Sequence, residues 1–215
     1  MKVDYKRFPV TMISILICII VYVYTSMLYG LSINAYQGQL AGGFNPVLVL
    51  EWQQYYRILT ANFIHFDLMH IVCNCYALYG LGMILENILK SKKFFIVFFG
   101  SMLATTLIPC VLYIFWGVGV ASIMGGISGA IFGIMGALLA LGVFFKERYR
   151  FIFQQVVSNV LIMLVISIAL PSISLTGHVS GLIGGFVIMT IIIKFFPISS
   201  WKKKDTVYHR NNLVN

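Results

Sequence analysis

An all-α bundle that crosses a membrane several times is the fold class this sequence predicts. Three observations predict it. First, 60% of the 215 residues are hydrophobic and only 10% are charged, with a mean hydropathy of +0.94. Soluble domains are about half apolar and a quarter charged, and a soluble chain of this length has too little interior to hide so much apolar surface. Second, the apolar residues form runs of about 20, the length needed to cross the hydrocarbon core. Third, the net charge of +9 is carried by short basic clusters between those runs. That placement is what membrane topology uses and argues against a nucleic-acid partner.

The spans are expected at about 9–29, 68–87, 94–116, 128–145, 152–171 and 177–196. The first runs from Phe8 to Tyr29, too long for the apolar core of a signal peptide, and no small-residue cleavage site follows. Residues 30–67 read as a long first loop. Gly42, Gly43 and Pro46 punctuate it, and the mixed polar and aromatic stretch Glu51 to Arg57 suits a membrane interface. No charged residue lies between Lys93 and Lys146 or between Arg150 and Lys194, so each run holds two helices. They divide at Gly125-Gly126 and at Pro171 to Gly177, where the chemistry ends helices. The organisation expected is an N-terminal segment 1–8, a six-helix domain 9–198 and a basic tail 199–215.

Basic residues orient the bundle. Lys2, Lys6 and Arg7 precede the first span, and Lys90, Lys92 and Lys93 separate the second and third. Lys146, Arg148 and Arg150 separate the fourth and fifth, and Lys194, Lys202, Lys203, Lys204 and Arg210 close the chain. Fourteen of the fifteen Lys and Arg therefore share one side, with Arg57 alone opposite. The positive-inside rule puts both termini in the cytosol. Ser128 and His178, at the starts of the fourth and sixth spans, then lie at the outer face of parallel helices.

Polar groups in a bilayer are costly and point to function. They are His65, Asp67, His70, Asn74, Glu86, Ser128 and His178. Cys18, Cys73, Cys75 and Cys110 all fall in apolar stretches and read as buried free thiols, with no disulfide or zinc pattern. Metal binding by His65, His70 and His178 competes with the reading below. No carboxylate or cysteine completes such a set at helical spacing and depth, and Asp67, two residues from His65, would face elsewhere on a helix. No cofactor is expected.

In Gly126-Ile127-Ser128-Gly129 a serine stands between glycines at a loop-to-helix junction. The glycines let backbone N–H groups approach a substrate carbonyl, and the first turn of the helix adds its own free N–H groups. Small residues at a helix start also simply pack membrane helices. A serine needs a base, and histidine is the usual one near neutral pH. His178 lies 50 residues on, at the same depth. Alone, it equally suits a structural hydrogen bond. Gly129, Gly133 and Ala137 in one span and Gly177, Gly181 and Gly185 in the other form matching small-residue ridges, which allow close approach.

His70 and Asn74 are four apart, on one helix face at the outer end of the second span. Their N–H groups suit the oxyanion of acyl transfer, where one donor contributes roughly 3–4 kcal/mol; a plain helix–helix hydrogen bond is the alternative. Glu86, about three turns below, is too deep for acid–base work and reads as structural, bonding neighbouring backbone.

Together, Tyr56-Arg57, His65 with His70 and Asn74, Gly126-Ile127-Ser128-Gly129, and Gly177-His178 with Gly181 and Gly185 resemble the rhomboid family of intramembrane serine proteases, in its bacterial six-helix form. The resemblance implies a Ser128 nucleophile and His178 as general base and acid. It implies an oxyanion hole of Asn74, His70 and the Ser128 backbone N–H, with His65 and Glu86 in structural roles. It further implies single-span membrane proteins as substrates, a bacterial plasma membrane, a capping loop 171–176, and a fifth span that shifts to admit a substrate helix. Tyr56 replaces the family's frequent Trp before Arg57, and Phe132 replaces its frequent Tyr stacked on the histidine. With no carboxylate partner, His178 would be oriented by packing against Phe132. A non-catalytic rhomboid-like binder of membrane helices and a small-solute transporter are the rival readings. The oligomeric state is not legible.

Overall fold

The computed structural model describes residues 5–170 and 173–196. Among these the chain is almost wholly helical, and Phe44 with Met124 forms an isolated antiparallel bridge. Helix α1 (Pro9–Tyr29) starts with Pro at its first position, where the missing N–H is harmless. Segment 30–67 contains three short helices, α2 (Ala35–Leu40), α3 (Pro46–Leu50) and α4 (Arg57–Thr60). Asn34 and Gln37 make a reciprocal capping box for α2, and Asn45 caps α3 through Val47 N and Leu48 N. The segment expected as loop thus carries capped short helices, because Asn34 and Asn45 satisfy the free N–H groups at their starts. Arg57 ties it together. Its buried guanidinium donates from Nη1 to Gln39 O at 2.6 Å and Gly43 O at 2.7 Å and from Nε to Gln54 Oε1 at 2.6 Å, so the buried charge has hydrogen-bond partners.

Helix α5 (Leu68–Ala77) passes through a π-helical turn, Leu78–Gly82, into α6 (Met83–Trp116). The 49 residues Leu68–Trp116 exceed one crossing by more than twofold. The break is Lys90, whose φ of 64° and ψ of 159° are not helical. Residues 68–89 run from the His70 end to Glu86, which meets the start of α1; residues 91–116 return, bringing Thr105 back beside Gly129. The glycine that ends this turn has a packing reason. A Cβ at Gly82 would sit 2.8 Å from Thr11 Oγ1, so α1 lies close against this point.

Helix α7 (Ser128–Phe144) is the centre of the bundle, with 13 of its 17 residues buried. A helix apolar on every side belongs inside. Helix α8 (Lys146–Ala169) begins six residues before the expected fifth span, because Lys146 to Arg150 are sound helix formers that continue the turn. Helix α9 (Leu175–Phe195) starts at Ser174, whose hydroxyl accepts Gly177 N–H at 3.1 Å. Helices α1, α8 and α9 and the run Leu68–Trp116 are long and apolar enough to cross a membrane; α7 is shorter and apolar.

Helices α7 and α9 pack in parallel with almost no gap. A Cβ at Gly181 would overlap the Gly129 carbonyl, and one at Gly185 the Gly133 carbonyl. Lys93 Nζ donates to Phe196 O at 3.1 Å, so Lys93 lies at the end of α9 away from His178. Lys2, Lys202, Lys203, Lys204, Arg210 and the tail 199–215 lie outside the described residues. The expectation of four buried thiols is corrected: Cys18 and Cys110 are buried, Cys75 is half-buried and Cys73 is exposed. Neighbouring helix positions are about 100° apart, so with Asn74 turned inward Cys73 must turn out.

Candidate active site

The backbone reaches Ser128 through a tightly held turn. Phe44 and Met124 exchange N–H···O bonds of 2.8 Å, and Gly126 N–H donates to Ala61 O at 3.0 Å. Gly126 then adopts φ +111°, a region that only glycine enters freely. A side chain there would also collide: a Cβ would lie 2.7 Å from His70 Nε2 and 3.3 Å from Asn74 Nδ2. Ser128 opens α7, whose N-cap Ile127 offers no side-chain cap. The first-turn N–H groups therefore face the same space as the Ser128 hydroxyl.

His178 is the fourth residue of α9 and is 5% exposed. Its Nε2 lies 2.8 Å from Ser128 Oγ. Its ring stacks on Phe132, centroids 4.2 Å apart and planes 15° apart. Its other nitrogen, Nδ1, lies 2.8 Å from Ser167 Oγ of α8. Just inside the pair, a Cβ at Gly181 would overlap the Gly129 carbonyl of α7, and one at Gly129 would collide with the Thr105 side chain of α6.

Across the turn stand His70 and Asn74. Asp67, expected to face elsewhere on a helix, is instead the N-cap of α5, and its carboxylate accepts His70 N–H at 2.8 Å. His65 lies before the helix, not on it, with Nδ1 3.1 Å from Phe63 O and its ring edge-on to His70 at 5.0 Å. Burial pushes the His65 imidazole down to about 4, and His70 acts in the same direction. Asn74 Nδ2 and His65 Nε2 are buried without hydrogen-bond partners. Such groups are rare and need a reason. Asn74 Nδ2 stands on the Gly126 side, 3.3 Å from where a Cβ on that glycine would lie.

Glu86 is remote from all of this. Its carboxylate accepts Val10 N–H at 3.1 Å, Thr11 N–H at 3.0 Å and the Thr11 hydroxyl at 2.7 Å. It caps α1 from another helix, an anion on the positive end of the helix dipole.

Ser128 and His178 open onto a cleft also lined by Asn62, Thr105, Met124, Ser174 and Gly177. Residues 171–172 of the expected capping loop lie outside the described residues. Among the described residues no three His, Cys, Asp or Glu side chains converge closely enough to hold a metal ion. What remains is an arrangement suited to acyl transfer: a hydroxyl, a base in contact with it, and N–H donors on the far side.

Two contributors escaped the sequence reading. Asp67 announces itself as a helix cap by preceding an apolar run. Ser167 gave one signal, a hydroxyl in an apolar stretch, which many membrane helices share.

Comparison with known proteins assigns the family. A family model described as the Rhomboid domain matches residues 52–195. Similar curated relatives include Rhomboid protease GluP of Bacillus subtilis (strain 168), 29% identical over 140 residues, covering 63% of this chain and 25% of that protein. Rhomboid protease GlpG of Salmonella paratyphi A and of Salmonella typhi are each 32% identical over 128 residues, covering 60% of this chain and 42% of those proteins. The match thus spans less than half the length of these relatives. With the family model covering about two thirds of the sequence, the chain belongs to the rhomboid family and is a multi-pass integral membrane protein.

Proposed function

We propose that this chain is an intramembrane serine endopeptidase that hydrolyses peptide bonds in or near the transmembrane helix of single-span proteins. The observation that carries the proposal is the 2.8 Å contact between Ser128 Oγ and His178 Nε2. His178 Nε2 takes the hydroxyl proton as Ser128 Oγ attacks the scissile carbonyl carbon. The developing oxyanion is met by the Asn74 amide, the His70 Nε2–H and the Ser128 backbone N–H. His178 then returns the proton to the leaving amine, and an acyl-enzyme remains. Water, deprotonated by the same nitrogen, releases it. Asn74 Nδ2 supports this reading, because a buried donor without a partner is ready for a charge that exists only in the transition state.

A helix hides its carbonyls in its own hydrogen bonds, so the substrate must unwind locally at the cleft. The topology proposed with this function is six spans within residues 9–198, both termini cytosolic, and the dyad near the outer face of a bacterial plasma membrane. The match to named rhomboid proteases supports it. The test uses purified full-length chain in detergent with a model single-span substrate. Wild type should cleave and label with a fluorophosphonate, and Ser128→Ala should do neither. Equal cleavage by both would remove the serine mechanism, and a folded wild type that never labels would favour a non-catalytic binder.

A further inference from the structure

Helix α8 faces outward along most of its length. Beyond Val160, Ser167 is the one described residue of this helix that is buried, at 4% exposed, while Leu161, Ile162, Val165 and Ile168 are exposed. Its hydroxyl makes two contacts: 2.7 Å to Met163 O and 2.8 Å to His178 Nδ1. The bond to the carbonyl four residues back is the ordinary refuge of a serine in an apolar helix. A hydroxyl has one hydrogen. With that hydrogen on Met163 O, the Ser167 oxygen offers only lone pairs to His178.

We propose that Ser167 is a positioning residue for the dyad: it accepts the Nδ1–H of His178 and so holds the imidazole in the tautomer whose Nε2 accepts the Ser128 proton. This deepens the serine-protease reading and rests on it. A neutral imidazole carries one N–H. If Nδ1 bears it, Nε2 is a bare acceptor facing Ser128 Oγ at 2.8 Å. The opposite tautomer would point an N–H at the nucleophile and disable the base. Ser167 does for orientation what a buried carboxylate does in a triad, without placing a second charge in an apolar site. When His178 takes the proton, the Nδ1–H bond becomes charge-assisted and shortens. Phe132 fixes the plane of the ring; Ser167 decides which nitrogen is free.

The experiment uses the full chain in detergent with histidine labelled at both ring nitrogens by 15N. His178 is assigned by comparison with His178→Gln. In wild type at neutral pH, Nδ1 should give the protonated signal and Nε2 the unprotonated one. Ser167→Ala should lower kcat about ten-fold with KM changed by less than about two-fold, and its His178 signals should show a mixture of tautomers. Ser167→Thr should restore most of kcat, because a threonine hydroxyl makes the same back-bond. A wild-type spectrum with Nε2 protonated overturns the proposal, and so does a Ser167→Ala protein with full kcat beside an inactive Ser128→Ala. Failure of the parent reading looks different: wild type neither cleaves nor labels, and the wild-type tautomer still decides the hydrogen-bond assignment.

Discussion

The His178 ring lies against Phe132, centroids 4.2 Å apart and planes 15° apart, and residue 132 is 1% exposed. An aromatic face one turn after Ser128 thus supports the ring proposed as its base. Phe132→Leu keeps most of the volume and removes the ring. Stacked ring pairs contribute about 0.5–1.5 kcal/mol beyond burial, so kcat should fall up to about ten-fold while the fold persists. Turnover of a model substrate together with a thermal melt checks this; an unchanged kcat would deny the ring its role.

Asn74 should separate activity from stability. Its Nδ2 has no partner in the folded protein, so Asn74→Ala removes no native bond from that atom. Loss of one oxyanion donor costs about 10²–10³ in kcat, with Tm nearly unchanged. A large Tm loss with full kcat per folded molecule would make Asn74 a structural residue.

The α7–α9 contact should tolerate no side chain at its tightest points. A methyl at Gly185 would overlap the Gly133 carbonyl, whereas one at Gly80 meets nothing within 4 Å. Overpacking costs about 1–3 kcal/mol. Gly185→Ala should therefore lower Tm and cleavage together, and Gly80→Ala should leave both near wild type. Fluorophosphonate labelling rates on both variants report whether the dyad has separated.

Glu86→Ala should destabilise without touching the chemistry. It strips acceptors from Val10 N–H, Thr11 N–H and the Thr11 hydroxyl at once. Each buried group left unsatisfied costs about 1–3 kcal/mol. Melting temperature should drop clearly, and kcat per folded molecule should hold, because sixteen helical residues separate Glu86 from His70, roughly 24 Å. Glu86→Gln, which keeps an oxygen, should fall between.

His65 links stability to pH. Its imidazole is lowered from 6.5 to about 4, chiefly by burial, so the unfolded chain binds the proton more readily than the folded one. The stability present above pH 6.5 should then be lost as pH falls toward 4. Thermal melts across that range should slope less for His65→Gln than for wild type.

Much of this was legible in one dimension. Apolar runs and basic clusters mark helices because lipid leaves a backbone few choices. The glycines around Ser128, the i, i+4 pair of His70 and Asn74, and the four-residue glycine ridges are local patterns, and each names its own geometry. Lys90 fell where the basic cluster predicted a break.

The rest needed the bundle. Nothing in the order of residues says that Ser167 meets His178, because a serine bonded to its own helix looks alike whether or not a second helix arrives. Glu86 capping Thr11 joins residues 75 apart in the chain, and the outward turn of Cys73 follows only once Asn74 is known to face in. Sequence determined the long apolar helices and the polar residues proposed to carry the chemistry, since both rest on the cost of polar groups in lipid. Tertiary structure decided which nitrogen of His178 faces which hydroxyl, because that is settled by three helices meeting at one point.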